Sequence, residues 1–233
     1  MLSLLLNGIR NGNLDFGSVI AEILAVLVII FLILPFHEWA HAFTASLLGD
    51  KAVKGRGRLS INPLSHIDPM GALCMLLFGF GWAKPVPINP ARMNHPRKGI
   101  IWTSLAGPLA NLLAALVGVV LMQIVFPFYY ADPNAVLTGI YTLLYWFVAI
   151  NISLAVFNLI PVPPLDGSKV LMMLLPYRQS AWLERNQRYL SLALWILILV
   201  GVLSTPLSYL SNWIMHFFVW ATQWIGTLVQ MVM

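Results

Sequence analysis

The chain has 233 residues, of which 60% are hydrophobic and only 9% charged, with a formal net charge of +5. An average soluble domain carries roughly 25% Asp, Glu, Lys and Arg, so charge is too scarce to cover a globule of this size in water, and a soluble enzyme is excluded. Low charge also excludes a disordered chain, and one cysteine, Cys74, excludes a disulfide framework. What remains is an integral membrane protein. It is expected as one membrane-embedded domain over 1–233, with a core over about 17–176 and a two-span extension over about 187–233.

Residues 1–9 are apolar without a basic start, so no cleavable leader is expected. A helix crossing the hydrocarbon needs about 20 apolar residues, and the first candidate covers about 17–48. A basic loop follows, with Lys51, Lys54, Arg56 and Arg58. The next apolar run, PMGALCMLLFGFGW over 69–82, is short and Gly-rich, and a second basic group (Lys84, Arg92, Arg97, Lys98) closes it. Basic residues mark the cytoplasmic side, so this run is expected to dip in and return, or to lie buried among the other helices.

The segment WAKPVPINPAR over 82–92 reads as extended, and its prolines suit a sheet edge, where a missing N–H is not needed. Paired with part of 55–61, its Pro85, Val86, Pro87 and Ile88 are expected to receive a substrate strand by edge addition. Two spans follow, at 100–126 and 135–160, joined by a stretch without Lys or Arg. The region 167–188 is basic again, and no Asp, Glu, Lys or Arg occurs after Arg188. Thr205-Pro206, with Ser208, Ser211 and Asn212 behind it, reads as a turn that divides the tail into two spans. The expected fold is an all-α polytopic membrane protein of about five to six transmembrane helices, with a short re-entrant or β-element near 55–92. The basic residues sit in short separate clusters, none large enough to track a phosphate backbone, so a nucleic-acid partner is excluded.

Chemistry concentrates near the predicted cytoplasmic end of the first span, in His37-Glu38-Trp39-Ala40-His41. On a helix the two histidines lie one turn apart on one face. They can share a tetrahedral zinc, with Glu38 offset to act on a water as general base. Ionisable groups at membrane depth are costly, which argues for a functional role. Catalytic zinc usually takes three protein ligands, and His66, Asp68, His95, Asp132, Asp166 and His216 are the candidates. Asp132 and His216 are predicted on the outer side. Asp68 reads as the cap of the following helix, and His95 as a solvated loop residue. Asp166 closes NLIPVPPLDG, where three prolines break the third span at the cytoplasmic side. Depth and sidedness favour it.

HEWAH on one span, NLIPVPPLDG on a later one and SLAGPLAN over 104–111 between them resemble the site-2 protease family of intramembrane zinc metalloproteases. The resemblance covers roughly 30–176, without PDZ or CBS modules, as in the compact members. It implies one zinc per chain bound by His37, His41 and Asp166, with Glu38 as the catalytic base and Asn158 and Asn111 near the substrate or the oxyanion. It implies hydrolysis of membrane-protein substrates in or near their transmembrane segments, from a bacterial or archaeal cytoplasmic membrane with the site facing the cytoplasm. Two other classes stay in view. A metal or ion transporter would need a second ionisable cluster on the outer side, which the sequence lacks. A catalytically idle zinc-binding adaptor or chaperone would have no use for Glu38.

Overall fold

The structure, a computed structural model, describes residues 23–78 and 81–232. The expected leaderless stretch at 1–9 and the start of the first span lie outside the described residues. The described elements are helical: α1 (Ile23–Leu47), α2 (Ala52–Gly55), α3 (Pro69–Phe78), α4 (Pro96–Ala131), α5 (Ala135–Asn158), α6 (Asp166–Leu174), α7 (Tyr177–Arg185), α8 (Gln187–Leu199) and α9 (Ser204–Val232). Three of them, α1, α4 and α5, are long and apolar enough to cross a membrane, and α8 with α9 makes a fourth if the bent pair counts as one span. The chain divides into two compact units, Met1–Gly99 and Ile100–Met233.

In the first unit, α1 carries a π-turn at Ile29–Ile33, where Leu34 N–H bonds to Ile29 O. Pro35 follows at once. Proline lacks an N–H and crowds the carbonyl four residues back, and the wider turn relieves both effects. α3 has ten residues, a length of about 15 Å at 1.5 Å per residue, half of what the hydrocarbon requires. The segments flanking it meet. Ile67 and Ala83 form an antiparallel bridge, and Lys84 N–H bonds to His66 O at 2.8 Å. The run therefore leaves beside the place where it entered.

No strand occurs among the described residues; this single bridge stands where a β-element was expected. Its partner is 66–67, not 55–61. The turn at Gly55–Ser60 offers side chains instead of a backbone edge, with Arg56 reaching Pro87 O (3.0 Å) and Arg58 reaching Ser65 O (2.6 Å) and Lys84 O (3.4 Å). The segment is extended all the same: Val86 is buried, Pro85 and Pro87 are exposed, and Val86 and Ile88 pack with Ala42 and Ala45 of α1.

In the second unit, α4 and α5 pack through Ala115, Val119, Met122, Val148, Ile152 and Val156, and α9 adds Leu207, Ile214 and Phe218. Gly118 allows the close approach, since a Cβ there would lie 2.6 Å from Val148 Cγ2. Outward positions such as Leu113, Val117, Leu121 and Trp146 are exposed, the surface that lipid covers. The tail turns at 201–203, earlier than the expected Thr205-Pro206, with Gly201 at φ +79°. Only glycine adopts that conformation without strain. Pro206 sits in the first turn of α9, where no intrahelical partner is needed for its missing N–H. The bend between α8 and α9 is 81°, and the two count together as one candidate span.

Candidate metal centre

His37 and His41 lie on α1 just beyond the π-turn and are almost fully buried, at 4% and 5% exposure. Their rings meet edge to face at 4.6 Å, and the two Nε2 atoms are 3.0 Å apart. Two ligands on one tetrahedral ion with bonds of 2.0–2.1 Å would be about 3.3 Å apart. Small residues accompany them: Ala40, Ala42 and Ala45 are all buried.

Asp166 is the first residue of α6 and is 6% exposed. The broken segment places it. Prolines at 161, 163 and 164 end the run from α5, the Pro163–Pro164 bond is cis, and Ser191 Oγ donates to Pro163 O at 3.0 Å. Gly167 then seats the first turn of α6 on the backbone of Leu159 and Ile160, so closely that a Cβ there would meet Leu159 O and lie 2.7 Å from Ile160 O. Lys169 Nζ donates to Asp166 Oδ1 at 2.9 Å.

His37 and His41 in the first unit and Asp166 in the second are each buried. Two imidazole nitrogens and one carboxylate oxygen make a donor set suited to catalytic zinc, with a fourth position left for water. Glu38, between the histidines in sequence, is half-buried, and its Oε2 accepts a hydrogen bond from Val86 N–H at 3.2 Å.

The other candidates have separate duties. His66 is buried and donates from Nε2 to Ser60 O at 2.9 Å. Asp68 Oδ1 accepts from Gly71 N–H at 2.9 Å, the helix cap expected of it. His95, Asp132 and His216 are exposed, and Asp132 accepts from Asn134 Nδ2. Asn111 is fully buried and its amide donates to Asn151 Oδ1 at 2.9 Å; Asn151 in turn donates to Phe147 O. Asn158 donates to Leu154 O in its own helix at 3.0 Å. Asn151 escaped the sequence reading, since a single Asn inside an apolar run carries no spacing signal. Its fully buried place opposite Asn111 is visible only in the fold.

The profile of peptidase family M50 matches residues 123–202. The chain is 37% identical to YwhC of Bacillus subtilis over 164 residues, 70% of this chain and 75% of that protein. It is 33% identical to Rip2 of Mycolicibacterium smegmatis over 201 residues, 83% of this chain and 71% of that one. Both carry zinc-metalloprotease names. Zinc metalloprotease MJ0392 of Methanocaldococcus jannaschii is 28% identical over 183 residues, 77% of this chain and 43% of its own length. No solved structure matches the chain.

Proposed function

The chain belongs to peptidase family M50, a family of zinc metalloproteases, and on that premise we propose that it is an intramembrane endopeptidase whose zinc is held by His37, His41 and Asp166, one ion per chain. The observation that carries the proposal is the pair of buried histidines one turn apart on α1, with Nε2 atoms 3.0 Å from each other and Glu38 between them in sequence. A zinc ion held there would supply Lewis acidity, which lowers the pKa of a bound water toward about 7 and polarises a carbonyl. Glu38 takes the proton of the attacking water and returns it to the leaving amine, a transfer worth roughly 10²–10⁴ in rate. Asn158 turns its amide from Leu154 O toward the developing oxyanion. Asn111, held by Asn151, fixes the packing of α4 on α5.

The substrate is the transmembrane segment of another membrane protein. It must be unwound to be cut, because a helix engages its carbonyls. Residues Pro85–Ile88 provide the extended template, and the substrate pairs at the Ile88 amide, since Val86 N–H is held by Glu38 Oε2. The basic groups of the loop at 51–58 and of 167–188 orient the site toward the cytoplasm. The finer count of about five crossings has α8 and α9 spanning separately in addition to α1, α4 and α5, with α3 dipping in and returning.

The experiment is zinc analysis of the purified chain together with cleavage of a single-span reporter protein. Glu38→Gln is expected to keep zinc and abolish cleavage, and Asp166→Ala to lose zinc while Asp68→Ala retains it. Unchanged cleavage by Glu38→Gln would overturn the assignment.

A further inference from the structure

Three amides anchor the extended segment after α3, and each belongs to a residue that precedes a proline. Lys84 N–H bonds to His66 O at 2.8 Å, Val86 N–H to Glu38 Oε2 at 3.2 Å, and Asn89 N–H to Asp50 Oδ2 at 2.7 Å. Prolines 85, 87 and 90 follow them. A residue before proline is confined to extended geometry, and proline fixes its own φ. The backbone carrying the three donors is thus stiff from Lys84 to Pro90.

It is also clamped on its carbonyls. Arg58, only 8% exposed, donates to Lys84 O and Ser65 O, and Arg56 donates to Pro87 O. Asp50, the far anchor, is 1% exposed. Of these bonds one is unlike the rest. At Val86 a rigid, doubly anchored amide is spent on the carboxylate of a residue with chemistry to perform.

We propose that the Val86 amide is a positioning group for the reaction: it holds one oxygen of Glu38 so that the other faces the water to be deprotonated. The inference rests on Glu38 being the general base. A carboxylate on a flexible stem with neither oxygen tied samples several rotamers, and a base must lie within hydrogen-bond reach of its proton to act. The protein here supplies a donor from a backbone that cannot swing away. Val86 itself packs into the cluster with Ala42 and Ala45 of α1, so amide and carboxylate are registered on the same helix. Arg58 and Asp50 act through this segment, which accounts for a buried arginine and a buried aspartate remote from the metal ligands in sequence.

The test removes the donor alone. Replacing Val86 by its α-hydroxy acid makes the 85–86 linkage an ester, deleting the N–H and keeping the side chain; Val86→Pro also deletes the N–H, but changes the side chain as well. In the full-length protein with the single-span reporter, the expected result is unchanged zinc content and KM with kcat lower by about tenfold to a hundredfold, the scale of a misplaced catalytic group. In zinc-free protein, the Glu38 carboxylate stretch, taken from the infrared difference against Glu38→Gln, moves in the ester variant.

An ester variant with parent kcat overturns the proposal. So does a raised KM at unchanged kcat, which would assign the amide to substrate, and so does loss of zinc, which would assign it to the metal site. If instead Glu38→Gln itself cleaves normally, the base assignment falls and takes this inference with it.

Discussion

Gly167 offers the sharpest test of how the metal centre is built, because two physical effects oppose each other there. Alanine is the better helix former by about 1 kcal/mol, so propensity alone predicts that Gly167→Ala stabilises α6. The packing predicts the reverse. A Cβ at 167 would lie 2.5 Å from the carbonyl carbon of Leu159 and 2.7 Å from Ile160 O, short of ordinary contact at 3.4 Å by 0.9 and 0.7 Å. The obstacles are backbone atoms that no rotamer change can move. Leu159 O is closer still, so the first turn of α6 must shift by about 1 Å or more, and Asp166 moves with it. Overpacking of this kind costs about 1–3 kcal/mol, which outweighs the propensity gain, and a ligand or reactant displaced by about 1 Å can lower a rate about a hundredfold. The control is Gly139→Ala in α5, where nothing lies within 4 Å of the added methyl. Thermal unfolding in detergent, zinc content and reporter cleavage should separate the two: Gly167→Ala loses stability, zinc and activity, and Gly139→Ala keeps all three. A Gly167→Ala variant with full zinc and parent activity would refute the claim that this glycine seats Asp166.

Two further outcomes follow from the same geometry. Asn151→Leu removes the acceptor of the Asn111 amide and should cost about 0.5–2 kcal/mol of stability in detergent unfolding, with zinc content unchanged. Lys169 is 46% exposed where it pairs with Asp166, and a pair so accessible to water contributes at most about 1 kcal/mol. Lys169→Met should accordingly alter the zinc dissociation constant, read by competition with a chelating dye, by no more than about fivefold.

The amino-acid sequence alone determined the membrane class and the spans at α4 and α5, and it supplied the residues proposed to hold the metal. These are properties of composition and of local spacing: charge scarcity, long apolar runs, and two histidines one helical turn apart. Asp166 was legible because the broken span that carries it is itself a local pattern of prolines. Asp68 was legible for the same kind of reason, as a cap written a few residues ahead of its helix. Tertiary structure decided what depends on residues distant along the chain. The segment 82–92 pairs with 66–67 and not with 55–61, because Arg56 and Arg58 use the latter turn to hold carbonyls with their side chains. The tail turns at Gly201, since a positive φ outranks a proline that a first helical turn accepts. Asn151 is the partner of Asn111, and Val86 N–H is the partner of Glu38, across 40 and 48 residues. Sequence periodicity records which side of an element is apolar, but not which group will stand opposite a buried donor or carboxylate. That choice is made when the elements pack.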